Sequence, residues 1–215
     1  MIPKRWFLVV TLGSVLGIAV CLDARNVYPE FLTALRHSAF NVVSIATTTG
    51  LTTVDYGLWP MFAPLWMLFL CSFATSAGST GGGIKRIRAL ILDKLVYREL
   101  VLALHPNALR PVHVGGGAMP PKILTAVLAS RFAYRCIIVA LTLLLSFMEL
   151  DIVTAFSAVV ASVNSTGPGL KQVGPATTYE VLTDLQTWVC TFAMLLGRLE
   201  LFTLLVVLTP AFWKN

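Results

Sequence analysis

Apolar residues run almost unbroken from Trp6 to Leu22, behind a short basic flank, and stop at Asp23-Ala24-Arg25-Asn26. Roughly 17 to 25 such residues carry a helix across a hydrocarbon layer, so the stretch predicts a span. A secretory leader also begins this way, but no small-x-small cleavage pattern follows. The next apolar stretch, Phe31 to Ala46, has helical spacing but is too short to cross, and it runs straight into Thr47-Thr48-Thr49-Gly50. A re-entrant segment fits that pattern, because non-helical backbone at membrane depth is tolerated where it is buried in protein or lines a watery cavity. Asp55-Tyr56-Gly57 returns the chain to the surface, and Trp59-Pro60 opens a second span, Met61 to Ala77, interrupted by Gly78-Ser79-Thr80-Gly81-Gly82-Gly83. Helix spacing resumes from Ile84 to Val101 as a basic amphipathic helix, which His105-Pro106-Asn107 ends.

The second part of the chain repeats the first. Leu109 to Val114, followed by Gly115-Gly116-Gly117, predicts a short hairpin, and Pro120-Pro121 opens a third span. That helix starts from Lys122, carries Arg131 and Arg135, continues through the apolar run Cys136 to Met148 and exits at Glu149-Leu150-Asp151. A short helix, Val153 to Val163, ends in Asn164-Ser165-Thr166-Gly167-Pro168-Gly169, and a last span runs from Val181 to about Thr209, closing at Phe212, Trp213 and Lys214. Aligning Val42-Val43 with Val159-Val160 lays Thr49-Gly50 on Thr166-Gly167 without a gap. The pattern therefore predicts an all-α membrane protein of two span, re-entrant helix, span repeats joined by a cytoplasmic hairpin. The boundaries are 1–103, 104–121 and 122–215. Duplication at a fixed period marks units that cannot bury their exposed faces alone.

Composition agrees with the pattern: 57% of the 215 residues are hydrophobic and 12% charged, about half the charge of a soluble domain. The net charge of +6 does not point to nucleic acid, because of where the charges lie. Lys4 and Arg5, the basic residues between Lys85 and Arg135, and Lys214 sit at the termini and in the central connection. Asp23, Glu30, Asp55, Glu149, Asp151, Glu180 and Asp184 occupy the other connections. That asymmetry places both termini and the central connection in the cytoplasm. Cys21, Cys71, Cys136 and Cys190 each stand alone in apolar runs, and His37, His105 and His113 are scattered, so neither a disulfide framework nor a metal cluster is indicated.

Chemistry concentrates at the two Thr-Gly junctions. Carbonyl and hydroxyl oxygens there can replace the water around a cation, with Gly50 supplying a backbone conformation that a side chain forbids and the short helix turning its negative end to the ion. The plainer alternative is a buried loop whose threonines satisfy their own backbone. Gly78 to Gly83 does not read as a phosphate loop, since Ile84 separates Gly83 from Lys85 and Arg86 stands where Ser or Thr belongs. It reads as an unwound gating segment, with a simple helix end as the alternative. Arg198 lies inside the last apolar run, where a charge normally faces a watery cavity or a partner. No nucleophile and base pair, carboxylate dyad or ligand cluster suggests an enzyme.

Five motifs, Thr47 to Thr53, Ala77 to Lys85, His105-Pro106-Asn107, Asn164 to Gly169 and Gly197-Arg198-Leu199-Glu200, occur in this order over nearly the whole chain, which thereby resembles the Trk/Ktr/HKT potassium transporters. The resemblance implies a four-repeat, potassium-channel-like bacterial inner-membrane protein, of which the third and fourth repeats are matched. It places the selectivity filter at Thr47, Thr48, Thr49 and Gly50 and at Asn164, Ser165, Thr166 and Gly167. Potassium would be held at Thr48, Thr49, Gly50, Ser165, Thr166 and Gly167. It further places the gating loop at Gly78, Ser79, Thr80, Gly81, Gly82 and Gly83 and the pore arginine at Arg198. Thr166 stands where family members often have leucine. The implied cargo is K+ with no organic cofactor. The implied partners are membrane lipid, a chain or second copy supplying the other two repeats, and a cytoplasmic nucleotide-binding regulatory subunit. A truncated product, half of a split transporter and a fragment of a longer protein all remain open, as does a non-transporting subunit that assembles with a full-length transporter.

Overall fold

The computed structural model describes residues 2–78, 94–101, 103–104, 113–114, 117–118 and 121–198. The first helix, α1 (Ile2–Ala24), exceeds the predicted Trp6 to Leu22 at both ends; Pro3 is tolerated because N–H groups in a first helical turn have no intrahelical partner. Its buried positions, Thr11, Ser14, Val15, Ile18, Ala19 and Leu22, recur at helical spacing, while Leu8, Leu12, Leu16 and Val20 stay exposed on the other side. A helix apolar on its outer face as well as its inner one suits hydrocarbon rather than water.

The short second helix, α2 (Phe31–Ala46), lies where the sequence puts it, and α3 (Phe62–Gly78) begins and ends one residue later than predicted. Ser38 of α2 is fully buried and its hydroxyl donates to the Val15 carbonyl of α1 at 2.8 Å. The Trp66 indole of α3 donates to Ser14 at 2.9 Å. Small polar residues at helix contacts of this kind draw backbones close, each bond contributing about 0.6–2 kcal/mol where lipid surrounds the bundle.

Residues 94–101 and 103–104 are helical, and His113–Val114 (β1) pairs antiparallel with Gly117–Ala118 (β2). The second part then follows as α4 (Pro121–Phe147), α5 (Ile152–Val163) and α6 (Asp184–Arg198). The last helix begins at Asp184, not at Val181. A 3-10 turn occupies Tyr179–Val181, and the Gln186 side chain accepts the Thr183 N–H at 2.9 Å, the reciprocal half of an N-terminal capping box. Gln186 also donates to the Met148 carbonyl at 2.9 Å, which fixes the start of α6 against the end of α4.

Among the described residues two helical stretches, Phe7–Ala24 and Leu124–Phe147, are long and apolar enough to cross a membrane. The apolar part of α3, Phe62–Ser72, is shorter, and α6 is described only as far as Arg198. Two cores hold the halves. One gathers α1, α2 and α3; the other gathers α4, α5 and α6 with Val173 and Leu182. Val160 and Leu170 from the second half sit in the first core, and Ile138 packs against both, so the halves form one body.

Candidate functional site

Both short helices end by the same device. After α2, Thr48 takes a left-handed conformation, φ +56°, and the N–H groups of Thr48 and Thr49 donate back to Ile45 O at 3.0 Å and Ser44 O at 2.8 Å. After α5, Ser165 has φ +53°, and Ser165 and Thr166 donate to Ser162 O at 3.0 Å and Ala161 O at 2.9 Å. Those paired bonds satisfy the last carbonyls of each helix, and glycine normally takes the left-handed place. A side chain there costs about 1–2 kcal/mol, and threonine, being branched, fits worst. Two residues further on, Gly50 and Gly167 also have positive φ, +78° and +100°. Thr48 and Ser165 are separated by 117 residues, as are the two glycines.

Past each tip the chain turns back along its own helix. Ser44 donates to Leu51 O at 2.6 Å, and the fully buried Asn41 donates to Thr53 Oγ1 at 3.0 Å while accepting the Thr53 N–H at 3.3 Å. As the chain advances from Leu51 to Thr53 its tethers step back from Ser44 to Asn41. Trp59 then donates to Tyr28, next to the start of α2, at 3.2 Å. In the second half Ser157 accepts the Leu170 N–H at 2.9 Å, and Leu170 lies 117 residues after Thr53. Sequence reasoning missed Asn41, Ser44 and Ser157. Their signal was polar side chains placed on the buried stripe of otherwise apolar helices.

The tips meet. A Cβ added at Gly50 would collide with the Thr166 carbonyl oxygen and lie 3.5 Å from the Pro168 ring. At Gly167 it would touch nothing within 4 Å. The eight candidate filter residues are nevertheless not equivalent. Thr47 and Thr49 are exposed, their hydroxyls 2.8 Å apart, with Thr48 and Gly50 half-buried. Ser165 and Gly167 are exposed, but Asn164 and Thr166 are buried and engaged within the protein. Asn164 accepts from Tyr134 of α4 at 3.0 Å and donates to Ser72 of α3 at 3.4 Å, and the Thr166 hydroxyl pairs with Cys71 of α3. Cys71 and Ser72 of the first half thus join Tyr134 of the second in holding the second tip, a role that spacing alone does not reveal for any of the three.

Three 3-10 turns, Tyr56–Leu58, Lys171–Val173 and Tyr179–Val181, complete the surroundings. Burial pushes the Tyr56 phenol far above its ordinary 10.0 and that of Tyr179 up to about 12, so both stay protonated. Asp151 caps α5 by accepting the Thr154 N–H at 3.3 Å, and the Lys171 ammonium, 2.9 Å away, holds its carboxyl below the ordinary 3.8. Among the described residues no group of three or more His, Cys, Asp or Glu could hold a metal ion.

The remaining candidates are placed as follows. Gly78 is the last residue of α3, and Ser79, Thr80, Gly81, Gly82 and Gly83 lie outside the described residues, as do His105-Pro106-Asn107 and Glu200. Arg198 ends the described part of α6 and is exposed. Its neighbour Gly197 abuts the end of α5 so closely that a Cβ there would collide with the Val163 carbonyl. Arg198 is thereby brought beside the α5 terminus that carries the second tip.

Comparison with known proteins finds that the TrkH family model, described as a cation transport protein, matches residues 6–214. The Trk system potassium uptake protein TrkH of Salmonella typhimurium is 40% identical over 211 residues, covering 98% of this chain and 43% of that protein. TrkG of Escherichia coli K12 is 33% identical over 214 residues, covering 100% and 44%. The crystal structure of the potassium transporter TrkH from Vibrio parahaemolyticus superposes with a TM-score of 0.84 at 38% identity, over 99% of this chain and 45% of that one. The chain spans somewhat under half the length of these relatives.

Proposed function

Because this chain belongs to the TrkH family of cation transport proteins, we propose that it supplies two of the units lining a potassium pathway across the membrane. In this reading α2 and α5 are re-entrant pore helices, and backbone carbonyls of Thr47 to Gly50 and Asn164 to Gly167 take the place of water around the ion. The observation that carries it is the meeting of two tips of the same backbone build, set 117 residues apart in the chain, at Gly50 and Thr166. Selectivity of such a site depends on the number and field of its oxygens, so side chains buried at Asn164 and Thr166 act by fixing the backbone. Thr47 and Thr49, exposed, present hydroxyls as well.

The first tip is open on one side. Phe40, Val43 and Leu51, on α2 and just past its tip, are exposed, whereas α5 is buried without interruption from Ser157 to Val163. That asymmetry supports the need for two further units from another chain, a second copy or a longer form of this one. Residues 1–103 and 122–215 are then the two pore units and 104–121 a cytoplasmic connection. Gly78 to Gly83 forms the gating loop, Arg198 the pore arginine, and both termini face the cytoplasm of a bacterial inner membrane. A cytoplasmic nucleotide-binding subunit is the proposed regulator. The test is growth at low potassium and rubidium uptake in a strain lacking its own potassium transport, with the chain expressed alone and beside a chain supplying the other two units. Uptake in either condition supports the reading. A stable complex without flux in both favours the alternative, a membrane subunit that does not itself transport.

A further inference from the structure

The Gly167 carbonyl is held in a way that its counterpart is not. The Tyr179 hydroxyl donates to it at 2.9 Å, whereas among the described residues no donor reaches the Gly50 carbonyl. The reason for the difference lies in the next residue. Gly167 is followed by Pro168, so the peptide between them has no N–H and its plane can be tethered only through its carbonyl. After Gly50 comes Leu51, whose own carbonyl is anchored by Ser44 at 2.6 Å. Pro168 fixes its own φ, but Gly167, with φ +100° and nothing within 4 Å of where a Cβ would sit, keeps the ψ freedom by which its carbonyl can change direction unless a donor holds it.

We propose that Tyr179 is a positioning residue that sets cation discrimination at the second tip by fixing the direction and field of the Gly167 carbonyl. The proposal rests on the potassium-pathway reading above. A carbonyl oxygen has two lone pairs. The tyrosine occupies one and leaves the other for the ion, at reduced negative potential and without freedom to swing inward. A larger, weakly hydrated cation tolerates a fixed and weakened oxygen, whereas a small one needs the oxygen to close in. Tyr179 is suited to hold still: its ring packs against the second core, within the 3-10 turn Tyr179–Val181.

The experiment measures how potassium and sodium each raise the thermal unfolding midpoint of the purified full chain, which converts to a ratio of apparent affinities. Tyr179→Phe keeps the ring and removes the donor. The expected result is a fall in the potassium-to-sodium ratio of roughly 2- to 10-fold, the size of one neutral hydrogen bond. Site-specific 3-fluorotyrosine at position 179, a stronger donor of nearly the same shape, is expected to move the ratio the other way, and it decides the matter if the phenylalanine variant does not fold. Stabilisation by potassium with the same ratio in every variant overturns the role of Tyr179 and leaves the pathway reading standing. If neither ion stabilises the native chain, whether alone or in complex with a chain supplying the other two units, both readings are overturned.

Discussion

The close approach of the two tips makes an unequal prediction for two glycines that look alike in sequence. In Gly50→Ala the new methyl enters space held by the Thr166 carbonyl oxygen, a backbone atom of a neighbouring tip that has no flexible end to move aside. Its φ of +78° adds a conformational penalty. The conformational part is about 1–2 kcal/mol and the overpacking part about 1–3 kcal/mol, together about 2–5 kcal/mol. Gly167→Ala bears only the first part, since nothing lies within 4 Å of its added Cβ. Denaturant or thermal unfolding of both variants in the same detergent measures the difference, and Gly50→Ala is expected to be the less stable by about 1–3 kcal/mol. If Gly167→Ala proves equally or more destabilised, the tips do not meet through Gly50 and the geometry underlying the proposed pathway is wrong.

Asn41→Ala removes the side chain that ties the returning strand to α2 and is expected to cost about 1–3 kcal/mol; the sharper readout is faster hydrogen exchange at the Thr53 amide, and unchanged exchange would contradict the tether. Asp151→Asn probes the cap of α5. Because the Lys171 ammonium lowers the Asp151 carboxyl below 3.8, the ionised form is favoured in the folded chain. Its stabilisation is therefore fully present above pH 3.8 and fades as pH falls through the lower folded-state value. Stability curves for the native chain and the variant should separate above that pH and converge in stronger acid; convergence on the alkaline side would refute the assignment.

The order of long and short apolar runs, and the Thr-Gly strings that follow the short ones, are local properties, and they sufficed to locate every helix among the described residues to within a few residues. Helix propensity and apolar spacing act over one or two turns, so α2 could be read to the residue from Phe31 to Ala46. The start of α6 was misread because Val181 and Leu182 continue an apolar run, while the true start is set by a capping pair, Thr183 with Gln186, that spacing does not weigh. The internal duplication was equally legible, since equivalent residues keep a constant offset along the chain. Contacts between residues distant in the chain were not. Nothing near Cys71, Ser72, Tyr134 or Tyr179 distinguishes them from other residues of apolar helices and turns, because each acquires its role from a partner between 12 and 95 positions away. Sequence alone thus determined that two like tips exist and where each begins. Tertiary structure decided that they meet at Gly50 and Thr166, and that one is held by Cys71 and Ser72 of the other half with Tyr134 and Tyr179 of its own while the other stands open, because the packing of helices distant in the chain is set by shape and hydrogen bonding across the whole body.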